Sequence, residues 1–354
     1  MATRKRSTDK PTLAAVAALA GVAESTASRV INGYSHNFRV RPEVRSKIFE
    51  AAAKLNYRPN PVVRTREEKQ TNLVAVVGWA SQGVNRSAIG EAVRVCDEAG
   101  KHVCTTFLHP DSMGLELPTW RVDGALVLQS RQPADVLELE ARRLPYVSLN
   151  GYAGEHGDSV TFHEHDGMAQ LVEHLTGLGH ERIAYAYIER ERHIPRGLRH
   201  GAVDARRDAY CDLMKERGLE VLPGFDHADI DHLDYVWTYV IGGGATALVC
   251  YDDVTALFLI QSAHVLGLRV PQDLSVVAFN DELPARMATP PLTTVALPAV
   301  EAGKRAGELL IERLKIMDPG GQPNPRRVVL HPRLVIRRST AKPREGEPNV
   351  KPPQ

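Results

Sequence analysis

A chain of 354 residues exceeds what one hydrophobic core ordinarily supports, which favours two or three folding units. With 43% hydrophobic and 25% charged residues and a formal net charge of +1, it is neither a disordered nor a fibrous polymer. The neutral total hides an asymmetry: residues 1–72 carry 14 Lys plus Arg against 6 Asp plus Glu, and the remainder carries 30 against 37. A basic module before an acidic body fits a nucleic-acid reader, although an uneven surface would give the same count.

In chain order, Met1 to Lys10 is polar and basic, and no apolar stretch long enough for export or for a membrane span follows. A cytoplasmic chain with no membrane partner is the expectation. The run TLAAVAALAGVAESTASRVING then places Leu13, Val16, Ala17 and Ala20 at helical spacing before Gly21, and a second short helix starts near Glu24. Ala17 and Ala27 are small enough for two helices to cross closely, and Gly21 tolerates the positive φ of a tight turn, so helix-turn-helix geometry is expected. Pro42, followed by Val44, Ile48, Ala52 and Leu55 on one face, signals a third helix. By itself this pattern suits DNA binding and plain helix packing about equally.

From Leu73 onward, short apolar runs alternate with helical stretches: LVAVV, AIGEAVRVCDEAG, HVCTTF, GALVL, the helix after Pro133, and YVSLN. A second set follows in RIAYAYI, the helix around Arg206 to Arg217, ATALVCY, the helix from Val254 to Leu266, and LSVVAFND. Alternation of this kind predicts parallel sheets with crossover helices, hence two doubly wound α/β lobes with a cleft between them.

Cys96, Cys104, Cys211 and Cys250 lie far apart with no CxxC spacing, so reduced thiols are expected and neither a zinc site nor a disulfide framework. His163, Glu164, His165 and Asp166 lack HExxH spacing, Gly242 to Gly244 has no following GK[ST], and no GxSxG stands in the chain. No cofactor, metal or catalysis is expected.

The runs TLAAVAALAGVAESTASRVIN and EAAAKLNYRPNPVVRTREEKQTNLVAVVG resemble the head, hinge and first sensor strand of the lac repressor family. The likeness continues through VTFHEHDGMAQLVEHLTGLGHERIAY, ALVCYDD, GLRVPQDLSVVAFND and PPLTTV, and so covers nearly the whole chain. It implies a small all-α helix-turn-helix head plus an α/β sensor of two doubly wound, periplasmic-binding-protein-like lobes. By the same resemblance, residues 1–58 form the DNA-binding domain, 59–71 a hinge, 72–340 an effector-binding and dimerising core, and 341–354 a disordered tail.

Carried over position by position, Glu24, Ser25 and Arg29 face base edges, while Thr12, Thr26, Ser28 and Asn32 contact the DNA backbone. Asn60, Val62 and Arg66 fall in the hinge. Arg29 can donate two bonds to guanine, and Glu24 can accept one from cytosine. Asp166, Arg206, Asp253, Asn280 and Asp281 match effector contacts beyond the carboxyl ends of the strands, where a sugar, sugar acid or sugar phosphate would bind. Ala23 replaces the family's hydroxyl cap, Asn37 to Arg39 look inserted, and Arg66 stands where a Leu commonly wedges into the minor groove. The partners implied are operator DNA, a small-molecule effector and a second copy of the chain. The tail AKPREGEPNVKPPQ lacks leucine heptads, which disfavours a tetramer.

Overall fold

The computed structural model describes residues 12–31, 40–55, 57, 71–78, 84–107, 115, 117–118, 120–187, 200–223, 231–316, 324–348 and 350. The chain divides into two compact units, Met1–Thr71 and Asn72–Gln354.

In the first unit, α1 (Leu13–Ala20) opens on Thr12, whose side chain accepts the Ala15 N–H at 3.2 Å, and closes on Gly21 at φ 67°. The axis of α2 (Glu24–Ile31) then turns by 105°, within the helix-turn-helix range. With α3 (Pro42–Lys54) these helices bury Val16, Ala17, Ala27, Val30, Ile48 and Ala51 in one small core. No single helix among the described residues is long and apolar enough to cross a membrane.

The second unit holds two lobes. Its first lobe is built from β1 (Leu73–Gly78), α4 (Val84–Glu98), β2 (His102–Phe107), β3 (Gly124–Leu128), α5 (Pro133–Ala141), β4 (Tyr146–Leu149) and β5 (Asp158–Phe162). The second lobe takes α6 (Glu164–Gly177), β6 (Ile183–Ala186), α7 (Gly201–Glu216) and α8 (His232–Tyr235), which runs into a π-helical turn over Val236–Ile241. It continues through β7 (Ala247–Cys250), α9 (Asp253–Val265), β8 (Ser275–Asn280), α10 (Leu283–Met287) and β9 (Thr293–Ala296). The chain then returns through α11 (Ala299–Ile316) and β10 (Arg327–Leu330) to the first lobe, and ends its sheet structure in β11 (Arg333–Val335) of the second. It therefore passes between lobes three times, after β5, β9 and β10.

The first sheet is all parallel in the order β10-β5-β4-β3-β1-β2; the second runs β11-β9-β8-β7-β6, with only β11 antiparallel. Runs such as Val74–Val77 and Val276–Phe279 are buried on both faces, which is why they read as unbroken apolar segments. On the first lobe α11 packs against α4 through small residues, with Gly303 and Gly307 set against Ala88 and Val95. Arg313 of α11 donates to both oxygens of buried Asp158, at 2.7 and 3.2 Å, and so ties the helix to β5.

One expectation fails. The tail from Ala341 is docked over its described residues: Ala341 N–H donates to Ser275 Oγ at 3.0 Å, and Arg344 donates to the carbonyls of Ala245 (3.0 Å) and Asp273 (2.6 Å). Val350 packs on the second-lobe core. These carbonyls precede β7 and β8, so the tail lies along the amino-terminal edge of that sheet, opposite the edge where its parallel strands end.

Candidate functional site

In α2, Ala27 and Val30 face the core, which leaves Glu24, Ser25 and Arg29 exposed and Thr26 and Ser28 half-buried; Thr12 is exposed at the start of α1. The helix thus presents the residues expected to face bases, because its burial stripe is only two residues wide. Ala23 supplies only its carbonyl, to the N–H groups of Thr26 and Ala27, and offers no side-chain cap. Asn32, Asn60, Val62 and Arg66 lie outside the described residues, as do Asn37 to Arg39.

The second site sits at the carboxyl ends of the parallel strands. Arg206, on α7, is 2% exposed and held from three sides. Its Nε donates to Glu164 Oε2 at 2.6 Å, Nη2 to Oε1 at 3.4 Å, and Nη1 to the Tyr251 carbonyl at 2.6 Å. The guanidinium also lies 4.8 Å from the Tyr251 ring centroid and 4.1 Å from that of Phe279. Tyr187, just past β6, meets Tyr251 edge-on at 4.9 Å. Glu164, the first residue of α6, was not singled out by sequence reasoning as an Arg206 partner; the only signal was its acidic character at a lobe crossing.

Asp253 is 1% exposed and uses both oxygens: one accepts the Glu282 N–H at 2.6 Å, the other the Thr294 hydroxyl at 2.8 Å. Burial pushes its carboxyl up to about 8 against those two bonds. Asn280 and Asp281 adopt φ values of 104° and 58° at the end of β8, and Asp281 pairs with Arg337 at 2.5 Å. Asp166 is drawn aside to His331 Nδ1 at 3.1 Å, where the His163 and His331 rings stack at 4.9 Å on two of the lobe crossings. Arg206, Asp253 and Asn280 therefore gather at the ends of β7 and β8, while Asp166 and Asp281 are engaged in side pairs. Among the described residues, no group of three or more His, Cys, Asp or Glu is placed to hold a metal.

The opposing edge, on the first lobe, has Gln129 at φ 50° after β3 and Asn150 at φ 52° after β4. Left-handed non-glycine residues thus collect where strands of both lobes end, as strained backbone does at functional sites. Among the described residues, two hydrogen bonds cross directly between lobes. His200 Nε2 donates to the Asn150 carbonyl at 2.7 Å, and Glu282 Oε1 accepts the N–H of Val84, the first residue of α4, at 2.5 Å. Because His200 gives its proton through Nε2, Nδ1 is a bare acceptor; it is buried and has no partner.

Burial, with the fields of Arg206 and Arg131 and against the Asn150 bond, lowers His200 to about 4. A histidine depressed on folding contributes stability that is complete above its unfolded value of about 6.5 and is lost as pH falls from there toward 4. Wild type should therefore lose about 2 kcal/mol more than His200→Gln between pH 7 and pH 5 in urea unfolding. The raised carboxyl of Asp253 gives a slope of opposite sign in both proteins, so the difference between them is the quantity to read. Equal pH slopes would show that His200 titrates normally.

Residues 12–60 match the family model described as bacterial regulatory proteins, lacI family, and residues 172–340 match the periplasmic binding protein-like domain. The chain thus joins a lacI-family helix-turn-helix region to a periplasmic-binding-protein-like domain. The chain is 28% identical over 341 residues to the HTH-type transcriptional repressor PurR of Actinobacillus pleuropneumoniae serotype 3 (strain JL03), covering 93% of this chain and 98% of that protein. It is 29% identical over 342 residues to the ribose operon repressor of Haemophilus influenzae (strain ATCC 51907 / DSM 11121 / KW20 / Rd), with the same shares covered. The solved complex of the transcriptional regulator CelR with cellobiose matches with TM-score 0.62 and 25% identity over 93% of this chain and 99% of that one. The chain is a DNA-binding transcription regulator built from a helix-turn-helix head and a two-lobed, periplasmic-binding-protein-like domain.

Proposed function

We propose that this chain is a homodimeric repressor whose paired heads read a roughly palindromic operator, and whose DNA affinity is set by a sugar-type effector bound between the lobes. The observation that carries the reading is the exposed α2 face of Glu24, Ser25 and Arg29 over a buried Ala27 and Val30. Arg29 and Glu24 read base edges, and Thr12, Thr26 and Ser28 position the helix on phosphate. Asn32, Asn60, Val62 and Arg66 complete the DNA contacts in the proposal.

For the sensor, a guanidinium bracketed by the rings of Tyr251 and Phe279 beside Asn280 suits a polyhydroxylated ring. Asp253 shapes the turn that carries Asn280 and Asp281, and Asp166 sits at the lobe crossing. Two proteins similar to this chain carry sugar names, the ribose operon repressor and the regulator crystallised with cellobiose. A head this small binds weakly alone, which favours a two-fold dimer. Phe258 of α9 with Leu283 and Met287 of α10, which packs on α9, leaves apolar side chains exposed for such a partner.

Gel shifts over a salt series test the reading. Arg29→Ala should lose about 1–3 kcal/mol of discrimination per operator half-site while keeping much of its affinity for random duplex. Equal weakening on both DNAs would make Arg29 a phosphate contact. Absence of any duplex binding by wild type would leave only a ligand receptor.

A further inference from the structure

We propose that the effector is uncharged, and that Glu164 sets this by neutralising Arg206 from within the protein. The inference rests on the effector site proposed above. It narrows the class from sugars, sugar acids and sugar phosphates to the neutral member.

Among the described residues, Arg206 is the cation most deeply built into the strand-end site, and its charge is already matched. Glu164 takes two of its N–H groups, at 2.6 and 3.4 Å, and the Tyr251 carbonyl takes a third. Of the five guanidinium donors, one on each Nη remains. Those two donors can bind neutral oxygens, but an arriving carboxylate or phosphate would meet Glu164 as well as Arg206. What it gained from one charge it would lose to the other, and it would still surrender its hydration.

His200 argues the same way from an independent observation. It caps α7, six residues before Arg206, and lies 2.7 Å from the Asn150 carbonyl across the lobe boundary. Its Nδ1 is a buried acceptor without a partner, and burial keeps the ring neutral at pH 7. A lone pair in that position is satisfied by a hydroxyl or N–H hydrogen and repels an anionic oxygen, which has no proton to give. The matching molecule is uncharged, with acceptor oxygens for Arg206 and a hydroxyl or N–H donor for His200.

The test uses the full chain, with two small anions as probes. Thermal unfolding is followed with inorganic phosphate and with D-glucuronate at constant ionic strength. Wild type should show no saturable stabilisation by either anion. Glu164→Gln keeps the size of the side chain and one acceptor while freeing the Arg206 charge. It should gain saturable binding of both anions, by about a hundredfold in affinity over wild type, and the gain should vanish in Glu164→Gln/Arg206→Met.

Saturable anion binding to wild type that is lost in Arg206→Met overturns the proposal, and this arm stands even if Glu164→Gln does not fold. A folded Glu164→Gln, checked by circular dichroism, that binds the anions no better than wild type also overturns it. Operator binding is read separately on the same wild-type protein. Anion binding to a chain that still shifts operator removes only the neutral-effector inference, whereas loss of the operator shift removes the regulator reading.

Discussion

Gly303→Val is expected to destabilise the sensor by about 3 kcal/mol or more, seen as a lower urea midpoint for its unfolding. A Cβ at residue 303 would lie 2.0 Å from the Ala88 carbonyl oxygen and 2.8 Å from the Ala88 Cα. Both atoms are backbone of α4, so no rotamer change can relieve the collision and the helices must separate. Separation would open the interface that also includes Gly307 against Val95, whose Cβ would stand 2.9 Å from an added one. Gly90→Ala is the control, because Gly90 lies on α4 with nothing within 4 Å of its added Cβ. That change should be neutral or stabilising by up to about 1 kcal/mol from helix propensity. If Gly303→Val left the midpoint where it is in wild type, close approach of α4 and α11 would not be a requirement of the fold.

Asp158→Ala should cost about 3–5 kcal/mol, because it strands a buried guanidinium. Asp158 is fully buried and Arg313 is 4% exposed. The carboxylate accepts from Arg313 Nη2 at 2.7 Å, from the Arg326 backbone N–H at 2.7 Å and from Arg326 Nη2 at 3.0 Å. Burial works against the charge, yet these arginine bonds hold the carboxyl below its ordinary value. Three separate pieces of chain, β5, α11 and the approach to β10, therefore meet on one side chain. Adding Arg313→Met to Asp158→Ala should recover much of the loss, since it removes the uncompensated charge. A single-variant cost under about 1 kcal/mol would place the pair among interactions that contribute little.

The strands legible in the sequence were those buried on both faces, such as Val74–Val77 and Val276–Phe279, where no polar residue interrupts the apolar run. Helices α1 and α2 were legible because Ala17, Gly21 and Ala27 each answer one steric demand of the turn. The returning strands were not. Arg327–Leu330 and Arg333–Val335 are four and three residues long and only partly covered, too short to establish a period. The docked tail was missed for a different reason: what holds it is supplied by Ala245, Asp273 and Ser275, far away in sequence, and its own composition resembles that of a loose end.

At the site, resemblance led to Arg206 and Asp253, but not to what surrounds them. That Asp253 spends both oxygens on Glu282 and Thr294 follows from the turn after β8, which residue types alone do not specify. Gln129 and Asn150 are ordinary polar residues in the sequence and become notable only through their positive φ. His200 gave no signal, since an unsatisfied Nδ1 exists only once the ring is buried against Asn150.

Helix α4 begins on a carboxylate that belongs to the other lobe: the Val84 N–H is met by Glu282, 198 residues later in the chain. A charge-assisted bond of this kind is worth about 1.5–3 kcal/mol and falls away steeply with distance and angle. Small rotations of the lobes therefore do not trade it gradually for something else; it is either made or broken, and when broken the first turn of α4 must find its partner in water. His200 and Asn150 make a second bond across the same boundary, between a neutral ring and a carbonyl, so a rotation of the lobes would have to break two bonds. Two bonds that are each either made or broken favour two discrete lobe arrangements over a continuous swing.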